Sequence, residues 1–322
     1  MKVYIFTEGS ETSGFGHLTR SKAIGEAFRE RGLQVHFIVN ASPEVADVLK
    51  DENVDLQQWQ ESRIYPDDLN ESISVFDSYK ASPCVYSEVA NLAAYCVYFD
   101  DYKRIDYPPG TIINSALFAN KEMYSEKAHT LLGLKYHVMR KEFWDLELAD
   151  KQNKAKNILI TFGGTEDAFA ISVAKSIRDE NSDVNIQVVL GKNKSENSFD
   201  SRITFKEKLS AEEMCQSITQ ADIVLSGGGQ TVYELARVGV LAVIVSVADN
   251  QVANAREWHN KGFALYAGDA RDTAIRDSVA NAIDVLLNSE GQEERKRKGR
   301  YLVDGQGARR VVDEVLKKVR GL

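Results

Sequence analysis

Short β-rich runs alternate with stretches of helical spacing along the whole chain. Residues 2–6, Lys-Val-Tyr-Ile-Phe, run into a Gly/Ser/Thr loop over 9–16. Leu18, Ala23, Ile24, Ala27 and Phe28 then recur at helical spacing over 17–31. Gly32 stops that helix and residues 35–39 read as the next strand, so the chain opens on a βαβ unit. The alternation continues with a helix at 43–50, a strand at 73–76, a helix at 87–94, a strand at 95–99 and late strands at 111–113 and 136–139. Strands alternating with helices predict parallel pairing with helices on both faces.

The pattern lapses between Arg140 and Asn157, where charged and polar residues take over. A second alternation follows, with strands at 158–162, 184–190, 203–205, 223–225, 241–245 and 263–266. Residues 290–322 are helical and strongly charged, with a break around Asp304-Gly-Gln-Gly307. The predicted class is therefore α/β, with two Rossmann-like domains over 1–145 and 156–322. A chain of 322 residues has room for both.

Composition narrows the function classes. Forty Lys and Arg against 48 Asp and Glu give a net charge of −8, which argues against nucleic acid and anionic membrane surfaces as partners. An acidic chain still binds an anion where backbone N–H groups do the holding. There is no run of about 18 apolar residues, so no membrane span is expected, and no targeting segment is visible. Three separated cysteines, Cys84, Cys96 and Cys215, read as buried thiols of a cytoplasmic protein. Five scattered histidines show no metal-ligand spacing, and no cofactor is expected.

In open parallel sheets ligands sit beyond the carboxyl ends of the strands, so the informative loops follow strands. Ser226-Gly-Gly-Gly-Gln-Thr231 joins a strand to a helix. Gly227, Gly228 and Gly229 allow close backbone approach, and the helix start at Gln230 and Thr231 offers unpaired N–H groups, which suits a diphosphate. Glu234, one turn in, is placed to accept from ribose hydroxyls. The bland alternative is a tight turn, for which one glycine suffices. Gly163, Gly164 and Thr165 repeat the layout after the strand at 158–162. Asn250 and Gln251 follow the strand at 241–245 and are suited to sugar hydroxyls or to a solvated helix start.

In the first half, Gly14, Gly16, His17 and Arg20 lie in the loop and helix start after the first strand. A dinucleotide fingerprint is incomplete here: Thr19 holds the third glycine's place and Asn40, not an acid, ends the second strand. His17 at a helix N-terminus is expected to stay neutral and to take a proton near pH 7, or else to serve in capping and packing. Asp100 and Asp101 invite Mg²⁺, although adjacent acids more often cap helices or orient neighbours.

These segments together resemble one family. GFGHLTR at 14–20, DSY at 77–79, FDD at 99–101, IIN at 112–114 and LLGLKYHVMRKEF at 131–143 occur in order. They are followed by ILITFGGTED at 158–167, ADIVLSGGGQTVYELARVGV at 221–240, ADNQ at 248–251 and DGQGARRVV at 304–312. The set is similar to the UDP-2,4-diacetamido-2,4,6-trideoxy-β-L-altropyranose hydrolases of pseudaminic acid biosynthesis and to their spore-coat polysaccharide relatives. That resemblance implies a GT-B-like fold whose last helix packs back on the first domain. It also implies metal-free hydrolysis of a UDP-sugar at the anomeric carbon, in a cleft between the domains. The catalytic histidine falls on His17, Tyr79 lies near the sugar, and the UDP-holding segment falls on Gly227–Glu234, with Asn250 and Gln251 as the NQ pair. The chain departs from the family's R-x-D-x-S opening: residues 6–10 read Phe-Thr-Glu-Gly-Ser, with Glu8 in the acid's place and no arginine. Ser78 stands where the family has a histidine. A glycosyltransferase on the same scaffold and a non-catalytic UDP-sugar binder are the competing expectations, with a monomer or weak dimer as the assembly.

Overall fold

β-Branched and aromatic runs pair in parallel wherever a helix covers both their faces, and the computed structural model of the chain shows two such sheets. It describes residues 1–9, 15–148, 156–163, 166–181, 183–191, 200–207, 209–288 and 290–321. Gly14, Gly164 and Thr165 lie outside the described residues. Contacts divide the chain into two units, Met1–Lys141 with Gly305–Leu322, and Glu142–Asp304.

Among the described residues of the first unit, seven strands form one parallel sheet. They are β1 (Lys2–Glu8), β2 (Gln34–Asn40), β3 (Val54–Leu56), β4 (Ser72–Asp77), β5 (Tyr95–Phe99), β6 (Thr111–Asn114) and β7 (His129–Leu132), in the order β3-β2-β1-β4-β5-β6-β7. Helices α1 (Gly16–Glu30), α2 (Pro43–Ala46), α3 (Trp59–Ser62) and α4 (Pro83–Leu92) connect them. Phe6, Phe76 and Tyr98 stack across adjacent strands, with centroids 5.0 and 5.6 Å apart, and fix one face of the core.

Three sequence expectations need correction. The apolar stretch 136–139 is not a strand: Gly133, at φ 86°, turns the chain out of the ladder after β7, and Leu134–Tyr136 forms a 3-10 turn. Val138 and Met139 are buried without pairing, so their apolar character marks burial and not a ladder. Helix α4 begins at Pro83, because proline loses nothing at the first helical position, where its missing N–H has no partner anyway. Cys84 in its first turn is exposed, whereas Cys96 and Cys215 are buried.

The second unit holds six described strands, again all parallel: β8 (Asn157–Thr161), β9 (Asn185–Leu190), β10 (Ile203–Glu207), β11 (Ile223–Gly227), β12 (Leu241–Ser246) and β13 (Ala264–Asp269). Their order is β10-β9-β8-β11-β12-β13. Helices α5 (Asp167–Glu180), α6 (Ala211–Gln220), α7 (Thr231–Val238), α8 (Val252–Asn260), α9 (Ile275–Asn288) and α10 (Gln292–Leu302) complete it. The unit starts before β8: the Arg237 guanidinium of α7 donates to the carbonyls of Phe143, Trp144 and Leu146. No helix among the described residues is long and apolar enough to cross a membrane.

Helix α11 (Gly307–Arg320) belongs to the first unit, against α1 and the turn at 134–136. Val311, Val312 and Val315 are buried, and Arg309–Glu30 and Arg31–Asp313 pair at its rim, each at 2.8 Å. The first helical residue has to be glycine. A Cβ there would sit 2.0 Å from the His137 carbonyl oxygen and 2.7 Å from its N and C, and these are backbone atoms that cannot swing aside. Gly307→Ala is therefore expected to lower stability by at least about 2 kcal/mol, the upper part of the usual overpacking range. Urea unfolding followed by circular dichroism checks this, and an unchanged midpoint would show that the contact yields easily.

Candidate active site

Both sheets reverse their strand order once, and the chemistry-bearing loops sit at those reversals. In the first unit the switch lies between β1 and β4, where β1 leads to α1 and β4 leads to Ser78-Tyr79. In the second it lies between β8 and β11, where Phe162-Gly163 and Ser226–Gln230 emerge. A crevice opens at such a point because the two connections leave toward opposite faces of the sheet.

At the first switch point Asp77 ends β4 fully buried. Its Oδ1 accepts from His17 Nδ1 at 2.5 Å and from Arg20 Nη2 at 2.7 Å, and its Oδ2 accepts from Arg20 Nε at 2.8 Å. The other side of the guanidinium grips Asp101, Nη1 to Oδ1 at 2.7 Å and Nη2 to Oδ2 at 3.0 Å, and it lies 4.7 Å above the Phe99 ring. The Tyr79 hydroxyl donates to Asp101 Oδ2 at 2.5 Å, and its ring stands edge-on to the His17 imidazole, with centroids 4.4 Å apart. Residues from α1, β4 and the end of β5 are thus joined in one chain of charge-assisted hydrogen bonds.

The electrostatics follow from that geometry. Burial opposes ionisation of Asp101, but Arg20 and the Tyr79 hydroxyl hold it well below the carboxylate range. Asp77 is likewise ionised: burial opposes it, and Arg20 and His17 prevail. Burial also works against a charged His17, yet the Asp77 carboxylate outweighs it and lifts the imidazole above 6.5. This corrects the expectation from helix position alone, because a carboxylate in direct contact exceeds the partial charge of a helix end. With Asp77 ionised, the shared proton sits on His17 Nδ1, and the Nε2 lone pair is the basic site. Burial drives the Tyr79 phenol far up, so it remains a donor.

Arg20, expected among the ligand-binding residues, is nearly buried and committed to two carboxylates. It ties the end of β4 to the residues after β5. Asp100 and Asp101 do not form a metal pair: Asp100 accepts from the Tyr124 hydroxyl at 2.7 Å and the Arg104 amide at 3.1 Å, away from Asp101's partners. Gly16 is the first residue of α1.

At the second switch point, the Gln251 carboxamide oxygen accepts from Gly228 N at 3.0 Å and Val247 N at 3.1 Å. The side chain of Asn254 donates to the Gly228 carbonyl at 2.8 Å and accepts from the Tyr233 hydroxyl at 3.1 Å. These bonds hold the Gly227–Gly229 turn in register with the start of α7 at Thr231. A Cβ at Gly228 would meet Gln251 backbone and side chain at 3.1 Å, whereas one at Gly229 meets only the Gln251 amide nitrogen, at 3.8 Å. Gly228 thus serves helix packing, and Gly229 leaves the approach to the helix start open. Gly163, in the turn two residues after β8, has φ 69°, a conformation that favours glycine. Glu234 is buried in α7, and Asn250 stands exposed in the turn before α8.

Sequence reasoning missed the roles of Asp77, Asp101, Glu8 and Asn254. Asp77 and Asp101 were visible as acids closing strands on the functional edge. Asn254, three residues after Gln251, gives only that helical offset as a signal.

The comparisons with known proteins bear on both units. Residues 157–314 match the glycosyltransferase family 28 C-terminal domain. Across the chain, MurG of Acinetobacter baumannii superposes with a TM-score of 0.67 at 15% identity, covering 98% of this chain and all of that one. The spinosyn forosaminyltransferase SpnP gives 0.67 at 13%, covering 99% of each. The fold is GT-B. In sequence, this GT-B chain is 23% identical over 97% of its length to the Bacillus subtilis spore coat polysaccharide biosynthesis protein SpsG, of which it spans 96%. It is 23% identical over 81% of its length to a Helicobacter pylori protein described as pseudaminic acid cytidylyltransferase and UDP-2,4-diacetamido-2,4,6-trideoxy-β-L-altropyranose hydrolase. It is also 24% identical over 76% of its length to an uncharacterized Methanocaldococcus jannaschii protein. The chain spans 47% of the Helicobacter protein and 55% of the Methanocaldococcus one.

One buried group of the site makes stability depend on pH. His137, bonded through Nδ1 to the Ser115 hydroxyl at 2.9 Å, is pushed down to about 3 by burial and then by the Arg20 charge. The unfolded chain binds a proton there below about 6.5 and the folded chain does not, so stability falls as pH drops from 6.5 toward 3. The loss from this residue is expected to reach a few kcal/mol at the acid end. Unfolding free energies at pH 7, 5 and 4 for wild type and His137→Gln check it. The variant is expected to show the shallower slope, and equal slopes would contradict the assignment.

Proposed function

We propose that the chain hydrolyses a UDP-linked diacetamido-trideoxy sugar at C1, giving free sugar and UDP, in the biosynthesis of a nonulosonic acid or a surface polysaccharide. The observation that carries this reading is the His17–Asp77 pair, an imidazole whose Nδ1 is fixed by a buried carboxylate and whose Nε2 is the basic site. The Gly227–Gly229 turn and the N-terminus of α7 would hold the diphosphate, through backbone N–H donors and the positive helix end. Gln251 would keep that turn in place.

The reaction follows from those parts. His17 Nε2 takes a proton from water as the oxygen attacks C1. The bond from C1 to the β-phosphate oxygen breaks, and its electron pair leaves on UDP, whose developing charge backbone N–H donors would stabilise. His17 then returns its proton to solvent. Asp77 stabilises the imidazolium that forms, and no metal is needed at either step. The step belongs in the cytoplasm, where nucleotide sugars are made.

A glycosyltransferase is the second reading, favoured by the match to the family 28 domain and by the GT-B neighbours. There a sugar or lipid hydroxyl replaces water and the same base serves it.

A panel of UDP-sugars, with UDP and free sugar measured separately and no acceptor present, separates the two. Equal release of both supports the hydrolase. Turnover appearing only with an added hydroxyl acceptor supports the transferase, and UDP-sugar binding without either supports a binding protein. His17→Ala is expected to lower kcat about 10²–10⁴-fold, the range for loss of a general base, with the Kd for UDP unchanged. Gln251→Ala is expected to do the opposite, weakening UDP binding roughly tenfold, because the Gly227–Gly229 turn loses the side-chain oxygen that fixes Gly228 N and with it one hydrogen bond worth about 1 kcal/mol. Calorimetric titration with UDP distinguishes the two variants.

A further inference from the structure

Glu8 ends β1 beside the β4 exit, 3% exposed, and no cation pairs with its carboxylate in the hydrogen bonds it makes. Those bonds all come from neutral donors. Oε2 accepts from the Ser78 hydroxyl at 2.6 Å and from Gln60 Nε2 at 2.7 Å. Oε1 accepts from the backbone N–H of Tyr79 at 2.9 Å and of Lys80 at 3.2 Å. The Ser78 hydroxyl in turn accepts from the amides of Lys80 and Ala81, each at 3.1 Å. The chain leaving β4 is therefore wrapped around one buried anion.

A buried carboxylate costs stability unless its oxygens are filled, so this arrangement permits few loop conformations. Tyr79 is the residue whose N–H is captured, and its side chain forms the wall against His17 and the donor to Asp101. We infer that Glu8 is a positioning residue: by holding the amides of residues 79 and 80 it sets the Tyr79 ring against His17, and so fixes the base that serves the substrate. This inference rests on the proposed reaction. It also accounts for an acid at position 8 in a loop that carries no arginine.

The experiment is a double-mutant cycle of Glu8→Gln and Tyr79→Ala, with Glu8→Asp as the conservative control. Glu8→Gln replaces charge-assisted bonds by neutral ones of about half the strength and turns an amide donor toward Gln60, so kcat should fall about tenfold. The Kd for UDP should stay put, because its binding loop is in the other unit. In the Tyr79→Ala background Glu8→Gln should cost nothing further, and Glu8→Asp should recover part of the loss. Independently of turnover, the His17 ring proton resonances should move in Glu8→Gln toward their positions in Tyr79→Ala, as the aromatic neighbour shifts. Effects on kcat that multiply in the double variant, or His17 resonances that ignore Glu8→Gln, would overturn the inference. A wild-type protein without UDP-sugar turnover would defeat the hydrolase reading alone, since the resonance comparison still decides the role of Glu8.

Discussion

One fully buried carboxylate, Asp77, organises the chemistry of the first unit. It sits at the end of β4, where desolvation works against its charge, and it remains ionised because Arg20 and His17 fill both oxygens. Arg20 has in turn to be shared with Asp101, whose remaining demand is met by Tyr79. Two carboxylates and one guanidinium leave a net negative charge beside the imidazole, and that excess makes His17 more basic than an ordinary histidine. Taking away any member would strand a buried charge, which costs more than the pair itself contributes. The network therefore fixes tautomer, basicity and orientation together.

The second unit solves a different problem with different means. Its Gly227–Gly229 turn is fixed by side chains of α8 and the turn before it, Gln251 accepting from Gly228 N and Val247 N and Asn254 donating to the Gly228 carbonyl. Backbone donors need no desolvated countercharge, and a helix start adds a favourable field at no conformational cost. The same sheet architecture thus places the His17–Asp77 pair in one unit and the Gly227–Gly229 turn in the other, each at a reversal of strand order.

Much of this was legible in the sequence because parallel sheets write burial as runs of β-branched residues and place function in the loops after them. The strands at 95–99 and 241–245 and the glycine turn at 227–229 stand out on pattern alone. Less legible were features set by distant contacts. Residues 136–139 look like a strand because they are buried, but what buries them includes α11, more than 160 residues away in sequence. His17 read as a helix-end histidine because its partner lies 60 residues on. Arg20 read as a ligand residue for the same reason, with its carboxylates 57 and 81 residues away. Glu8 looked like a substitution in a motif, and its four donors are visible only once β1 and β4 are adjacent.

The most direct measurement is a pH titration of the His17 imidazole by ¹⁵N NMR. The expected result is a proton fixed on Nδ1 throughout, with Nε2 titrating above the ordinary value of 6.5. A neutral form carrying its proton on Nε2, or a titration at or below 6.5, would contradict the control of this base by Asp77.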